Sequence, residues 1–133
     1  MLYIRDTGGN VPHFFGSIVS VRDDESDALI IIDGQQRLTT VSLLLLAIAH
    51  RAQEFNDVLR SKGGDIEYEI PDPKKVLDLC IDSKKKNKLK LKLIRGDMEA
   101  YQSIVDKRLQ TKFDKTNVVQ NYKFFYSLLN LEN

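Results

Sequence analysis

Asp33-Gly34-Gln35-Gln36-Arg37-Leu38-Thr39-Thr40 brings an acid, two primary amides, an arginine and two hydroxyls into eight consecutive residues. Arg37 offers a planar fork of donors matched to phosphate oxygens, and the amides and hydroxyls can orient water or a sugar. The elements on either side decide where these groups stand. Ile30-Ile31-Ile32 is β-branched and apolar, the pattern of a strand covered on both faces. Leu38, Val41, Leu45, Ile48, Ala52 and Phe55 then recur at helical spacing, with Leu43, Leu44 and Leu46 widening the stripe, so a central helix over about 35–60 is predicted. The segment therefore sits where a strand turns into a helix. Free N–H groups and the helix dipole make that place favourable for anions, phosphate above all. A purely structural alternative uses the same residues: Asp33 three before Gln36 fits a capping box, and Gly34 permits the sharp turn.

The remaining chain reads as short elements. Thr7 to Pro12 is a turn-rich lead-in, and Phe15 to Arg22 reads as a strand, although Phe14-Phe15 could equally close a short helix. Arg22 to Asp27 is a charged hairpin loop that returns through a strand over 28–33. Ser61 to Asp65 ends the long helix with glycines suited to a left-handed cap. Glu67 to Ile70 is a short extended piece before the rigid Pro71-Asp72-Pro73 turn. Val76–Ile81 and Leu89–Ile94 read as an antiparallel hairpin. A helix opening at Gly96-Asp97 carries Met98, Tyr101, Ile104, Val105 and Leu109 on its apolar face. A last helix, capped by Thr116 or Asn117, carries Val119, Tyr122, Phe125, Tyr126 and Leu129.

The segment Asp33 to Thr40 resembles the DGQQRLTT signature of the N-terminal domain of GmrSD-type restriction endonucleases, within the wider ParB/sulfiredoxin-like group. His13-Phe14-Phe15-Gly16-Ser17-Ile18-Val19 resembles the family's preceding strand, with Phe15 in place of the usual Leu. Lys90-Leu91-Lys92-Leu93 leading into Asp97, and Asn121-Tyr122-Lys123-Phe124-Phe125, resemble its later strand, helix start and helix. The resemblance covers nearly the whole chain. It implies an α+β fold: a ParB/sulfiredoxin-like small mixed sheet packed on a long central helix, followed by a β-hairpin and two C-terminal helices. One domain over 1–133 is expected, with a core over 13–60 and an extension over 66–133.

The same resemblance implies nucleoside triphosphate binding and hydrolysis, coupled to a nuclease domain in a prokaryotic DNA-restriction or anti-phage protein. Asp33, Gln35, Gln36 and Arg37 map to the catalytic motif, and Gly34, Arg37, Thr39 and Thr40 to nucleotide binding. Arg37 and the helix N-terminus would hold phosphate. Asp33 would bind a divalent cation or polarise the attacking water, and Gln35 or Gln36 would position that water or the ribose. A carboxylate beside phosphate is repulsive without a metal, so Mg²⁺ is the expected companion. A non-catalytic nucleotide- or DNA-binding module, and a structural remnant, stand as alternatives. The family's upstream Tyr-Gln-Arg segment and its His-Asn-His-like nuclease motif find no match, so an incomplete copy is expected, a fragment or truncated gene product. Sulfiredoxin-type thiol chemistry is not implied, because Gln35-Gln36 fills the interval where that family carries its cysteine.

At 133 residues, 42% apolar and 29% charged, the chain can bury one real core, and disorder is not the default. A net charge of +1 gives no global attraction to nucleic acid. No apolar run is long enough for a bilayer, and no basic-then-apolar leader opens the chain. Cys80 stands alone, and together these features predict a cytoplasmic protein that makes no membrane contact. The one dense positive patch runs from Lys84 to Lys92. Alternation would put Lys88, Lys90 and Lys92 on one strand face, either to contact a DNA backbone or to guard a solvated edge. His13 and His50 have no partner at ligand spacing, and His50 reads as a packed or surface residue. Phe124, Phe125 and Tyr126 read as helix core. An exposed strand edge would let two copies pair as a homo-oligomer.

Overall fold

A computed structural model of the chain describes residues 2–6, 9–13, 16–63, 71–85 and 88–129. The fold is α+β, as expected, and the chain divides into two compact units, Met1–Leu38 and Thr39–Asn133. No helix among the described residues is long and apolar enough to cross a membrane. Phe14-Phe15 and the expected extended piece Glu67 to Ile70 lie outside the described residues.

Among the described residues the first unit holds two antiparallel ribbons. Strands β1 (Leu2–Asp6) and β2 (Gly9–His13) pair with Leu2 opposite His13 and Asp6 opposite Gly9. Sequence alone assigned 7–12 to a turn-rich lead-in; β2 forms there because proline is tolerated in an edge strand, where its missing N–H need not pair. Strands β3 (Val19–Arg22) and β4 (Leu29–Asp33) form the second ribbon. Its loop is closed by Asp23, whose carboxylate accepts from the Glu25 N–H at 3.1 Å and the Ser26 hydroxyl at 2.8 Å. Those two bonds hold the Asp23 carboxyl below its usual range.

β3 starts at Val19 rather than Phe15, because the backbone at Gly16 takes φ +110°, outside the strand region. β4 also departs from expectation: Ile30 is 51% and Ile32 60% exposed, while Ile31 is half-buried. The triple isoleucine reads as a strand covered on both faces, but β4 pairs with β3 alone among the described strands. A two-stranded ribbon has no flanking strands to enclose it. Register shifts between Val19 and Ser20: Val19 faces Asp33 and Ser20 faces Ile31, so Ile32 is the extra residue of a bulge just before Asp33.

Helix α1 (Gln35–Ser61) begins at the end of the first unit and supplies the spine of the second. Its end was legible: Gly63 takes φ +65° and its N–H donates to the Arg60 carbonyl. The buried residues are Leu43, Leu46, Ala47, Ala49, His50 and Ala52; of the expected stripe Ala52 is buried, whereas Leu38, Val41, Leu45, Ile48 and Phe55 are only half-buried. A helix apolar on most sides carries several overlapping stripes, and packing partners choose among them. Those partners are α3 (Arg95–Val105) and α4 (Asn117–Leu128), which contribute Ala100, Tyr101, Ile104, Val118, Val119 and Tyr122 to the core.

Of the expected strand over 76–81, Val76 and Leu77 close a helix, 78–80 form a turn and Ile81 alone is in a strand. That helix, α2 (Pro73–Leu77), forms because Asp72 accepts from the Lys74 N–H at 3.1 Å and Pro73 occupies the first helical position. The hairpin survives only as β5 (Ile81–Asp82) against β6 (Lys88–Leu89). α3 stops at Asp106 in a Schellman motif: Arg108 N–H donates to Ser103 and Lys107 N–H to Ile104, with Lys107 at φ +56°. Leu109, expected on the apolar face of this helix, therefore lies beyond its end. α4 starts as expected at Thr116, whose hydroxyl accepts from the Val119 N–H and donates to the Phe113 carbonyl.

A polar cluster joins α1 to α4. His50 is 5% exposed, and its Nδ1 lies 2.6 Å from the Tyr122 hydroxyl. Its Nε2 has no hydrogen-bond partner among the described residues. Burial, with the Lys107 charge adding to it against an opposing pull from Glu54, lowers the His50 pKa to about 4. Arg51 stacks 3.5 Å over the Tyr126 ring, donates from Nε to the Tyr126 carbonyl at 2.9 Å, and pairs with Glu54. It thereby satisfies a last-turn carbonyl of α4 with a cation, favourable at that end of the dipole. Tyr126 in turn donates its hydroxyl to Glu54.

Candidate functional site at the β4–α1 junction

The first helical hydrogen bond of α1 runs from the Leu38 N–H to the Gly34 carbonyl at 3.0 Å, which puts Gly34 at the N-cap position. Asp33 stands one residue outside, so the Asp33–Gln36 capping box is out of phase. Among the described residues no hydrogen bond or ion pair engages the Asp33 side chain, which is exposed. Gly34 takes φ +94°, and a Cβ added there would stand 3.0 Å from Ile18 Cγ1 and 3.3 Å from the Ser17 carbonyl oxygen. Glycine is needed twice over, for the turn and for the close crossing of the 16–18 segment.

That crossing segment also fixes Arg37. The guanidinium donates from Nη1 to the Ser17 carbonyl at 2.7 Å. It lies so near Gly16 that an added Cβ would fall 2.7 Å from both Cζ and Nε. Gln35 folds back, its amide donating to the Ile31 carbonyl at 2.7 Å. Gln36 is exposed. Ile32, Asp33, Gly34, Gln35, Gln36 and Arg37 together line an open depression of about 300 Å³.

The first unit thus gathers Asp33, Gly34, Gln35, Gln36 and Arg37 into one place. Thr39, half-buried, and Thr40, exposed, follow on α1 in the second unit and do not line the depression. Sequence reading missed the part played by Gly16 and Ser17. The available signal was a glycine inside a stretch that reads as a strand, which looks ordinary until its contact with Arg37 is seen.

The lysine patch does not form the face that alternation predicts. Pairing ends at Lys88–Leu89, and the Lys90 N–H donates to the Cys80 carbonyl. The Lys90 ammonium then folds onto the Asp78 carbonyl at 2.7 Å. Lys92 is exposed on irregular chain, and the side chain of Lys88 lies outside the described residues. Cys80 is buried in the second unit's core, and burial raises its thiol pKa. Among the described residues no group of three or more His, Cys, Asp or Glu could hold a metal by itself.

Neither the curated proteins nor the solved structures give a significant match to this sequence. The family model for the GmrSD restriction endonuclease N-terminal domain matches residues 3–133, which covers all but Leu2 of the elements described above. The chain belongs to the GmrSD restriction endonuclease N-terminal domain family.

Proposed function

We propose that the β4–α1 junction binds the phosphates of a nucleoside triphosphate, and that this domain hydrolyses it in the service of DNA restriction or phage defence. One observation carries the reading: Arg37, its guanidinium held by the Ser17 carbonyl at the first turn of α1, lines the same depression as Asp33. The helix N-terminus and Arg37 supply complementary charge for phosphate oxygens. Asp33 suits a hard cation as one of few protein ligands, the usual condition for Mg²⁺, whose other ligands are waters and phosphate. Bound there, the ion would neutralise charge between carboxylate and phosphate. Gln36, exposed at the same rim, has the donors and acceptor to orient a water.

A phosphate-release assay with Asp33→Asn tests this reading. Turnover is expected to vanish while nucleotide affinity stays nearly that of the wild type, because charge rather than shape is removed. Equal turnover in the variant would overturn it. A second reading has its own observation, the Arg37 to Ser17 hydrogen bond. In that reading Arg37 is a clasp between the β3 lead-in and α1, and the domain is a non-catalytic module. Arg37→Ala then lowers stability and leaves nucleotide binding unaffected. DNA contact is proposed for the parent restriction protein and not assigned to the lysines here.

A further inference from the structure

We propose that Gly16 is a positioning residue for Arg37: the space left by its missing side chain is where the guanidinium packs, and the Ser17 carbonyl locks it there. The inference rests on reading Arg37 as a phosphate ligand. Three facts support it. An added Cβ would overlap Cζ and Nε at 2.7 Å, and Nη1 at 3.2 Å, so any side chain at position 16 displaces the guanidinium itself. Nη1 is oriented by its 2.7 Å bond to the Ser17 carbonyl. Among the described residues Ser17 is the one hydrogen-bond partner of the guanidinium, which leaves Nη2 and the second Nη1 hydrogen for an incoming oxygen.

An arginine free to rotate must be ordered by its ligand, at a cost in affinity, whereas one already held loses little. Gly16 and Ser17 thus pre-orient the donor fork. Ser17 and Ile18 of the same segment also cross Gly34 closely, so Ser17 serves both the turn and the arginine. Gly16 touches no ligand in this account and acts only through Arg37.

The test compares the wild type, Gly16→Ala and Gly63→Ala. Gly63 has a left-handed φ of +65° with open space around it, so its variant reports backbone strain without a clash. The first readout is the Arg37 Nε–Hε resonance, assigned by its loss in Arg37→Lys. The wild type and Gly63→Ala should show a slowly exchanging, rotationally restrained guanidinium, and Gly16→Ala an averaged one. An unchanged resonance in Gly16→Ala overturns the inference. The second readout is affinity for ATP, GTP, CTP and UTP, each with Mg²⁺, expected to weaken about tenfold or more in Gly16→Ala but not in Gly63→Ala. A mobile Arg37 with full affinity also overturns it. If the wild type binds no nucleotide, the functional reading falls, and the resonance alone decides whether Gly16 holds Arg37. Should Gly16→Ala fail to fold, adding Arg37→Ala relieves the clash but not the backbone strain at φ +110°, so a guanidinium that rotates freely in the wild type is then the result that contradicts the inference.

Discussion

Acid should destabilise this domain through His50, in addition to what its carboxylates contribute. Its ring is buried against Tyr122, with Nε2 lacking a partner among the described residues and a native pKa near 4. The unfolded chain titrates the same group near 6.5. At pH 7 both states are neutral and the difference contributes nothing. As pH falls below 6.5 the unfolded chain takes up a proton that the native state refuses, so stability drops by up to about 1.4 kcal/mol per pH unit. The loss levels off near pH 4, where native His50 also protonates, and totals about 3 kcal/mol. Urea unfolding of the wild type and His50→Gln at pH 7, 6, 5 and 4 isolates the term, because the two proteins differ in that one titratable group. The wild-type curve should fall more steeply between pH 6.5 and 4. Parallel curves would refute the argument and place a proton acceptor or water at Nε2.

Other consequences follow from local geometry. Lys107 occupies the left-handed position of a Schellman cap that glycine fills without strain, so Lys107→Gly should raise stability by about 1 kcal/mol in urea unfolding. Thr116→Ala removes the N-cap of α4 and should cost about 1 kcal/mol, with Thr116→Ser recovering most of it. Replacing Lys88, Lys90 and Lys92 together by Ala should leave duplex DNA affinity within about twofold in fluorescence anisotropy at low salt. Lys90 is spent on the Asp78 carbonyl, and the predicted strand face is not formed. A loss of about a hundredfold would return the patch to the DNA-binding surface.

What could be read in advance depended on whether the signal was local. α1 and the Thr116 cap were legible because a long apolar period and a hydroxyl before a helix state their meaning within a few residues. The stripe that α1 buries was not, since an almost uniformly apolar helix leaves that choice to α3 and α4. Val76 and Leu77 read as strand by composition, yet Asp72-Pro73 starts a helix beneath them. The Asp33 to Arg37 cluster was visible in sequence. Its support was not, because the Gly16 to Arg37 contact spans twenty-one positions and depends on the absence of a side chain.

Calorimetric titration of the wild type and Arg37→Ala with Mg²⁺ and each of the four nucleoside triphosphates tests the central claim most directly. The account predicts saturable binding of at least one nucleotide to the wild type, lost or weakened about tenfold or more when the guanidinium is removed. Binding to Arg37→Ala equal to that of the wild type would contradict it. So would the absence of binding to a folded wild-type chain.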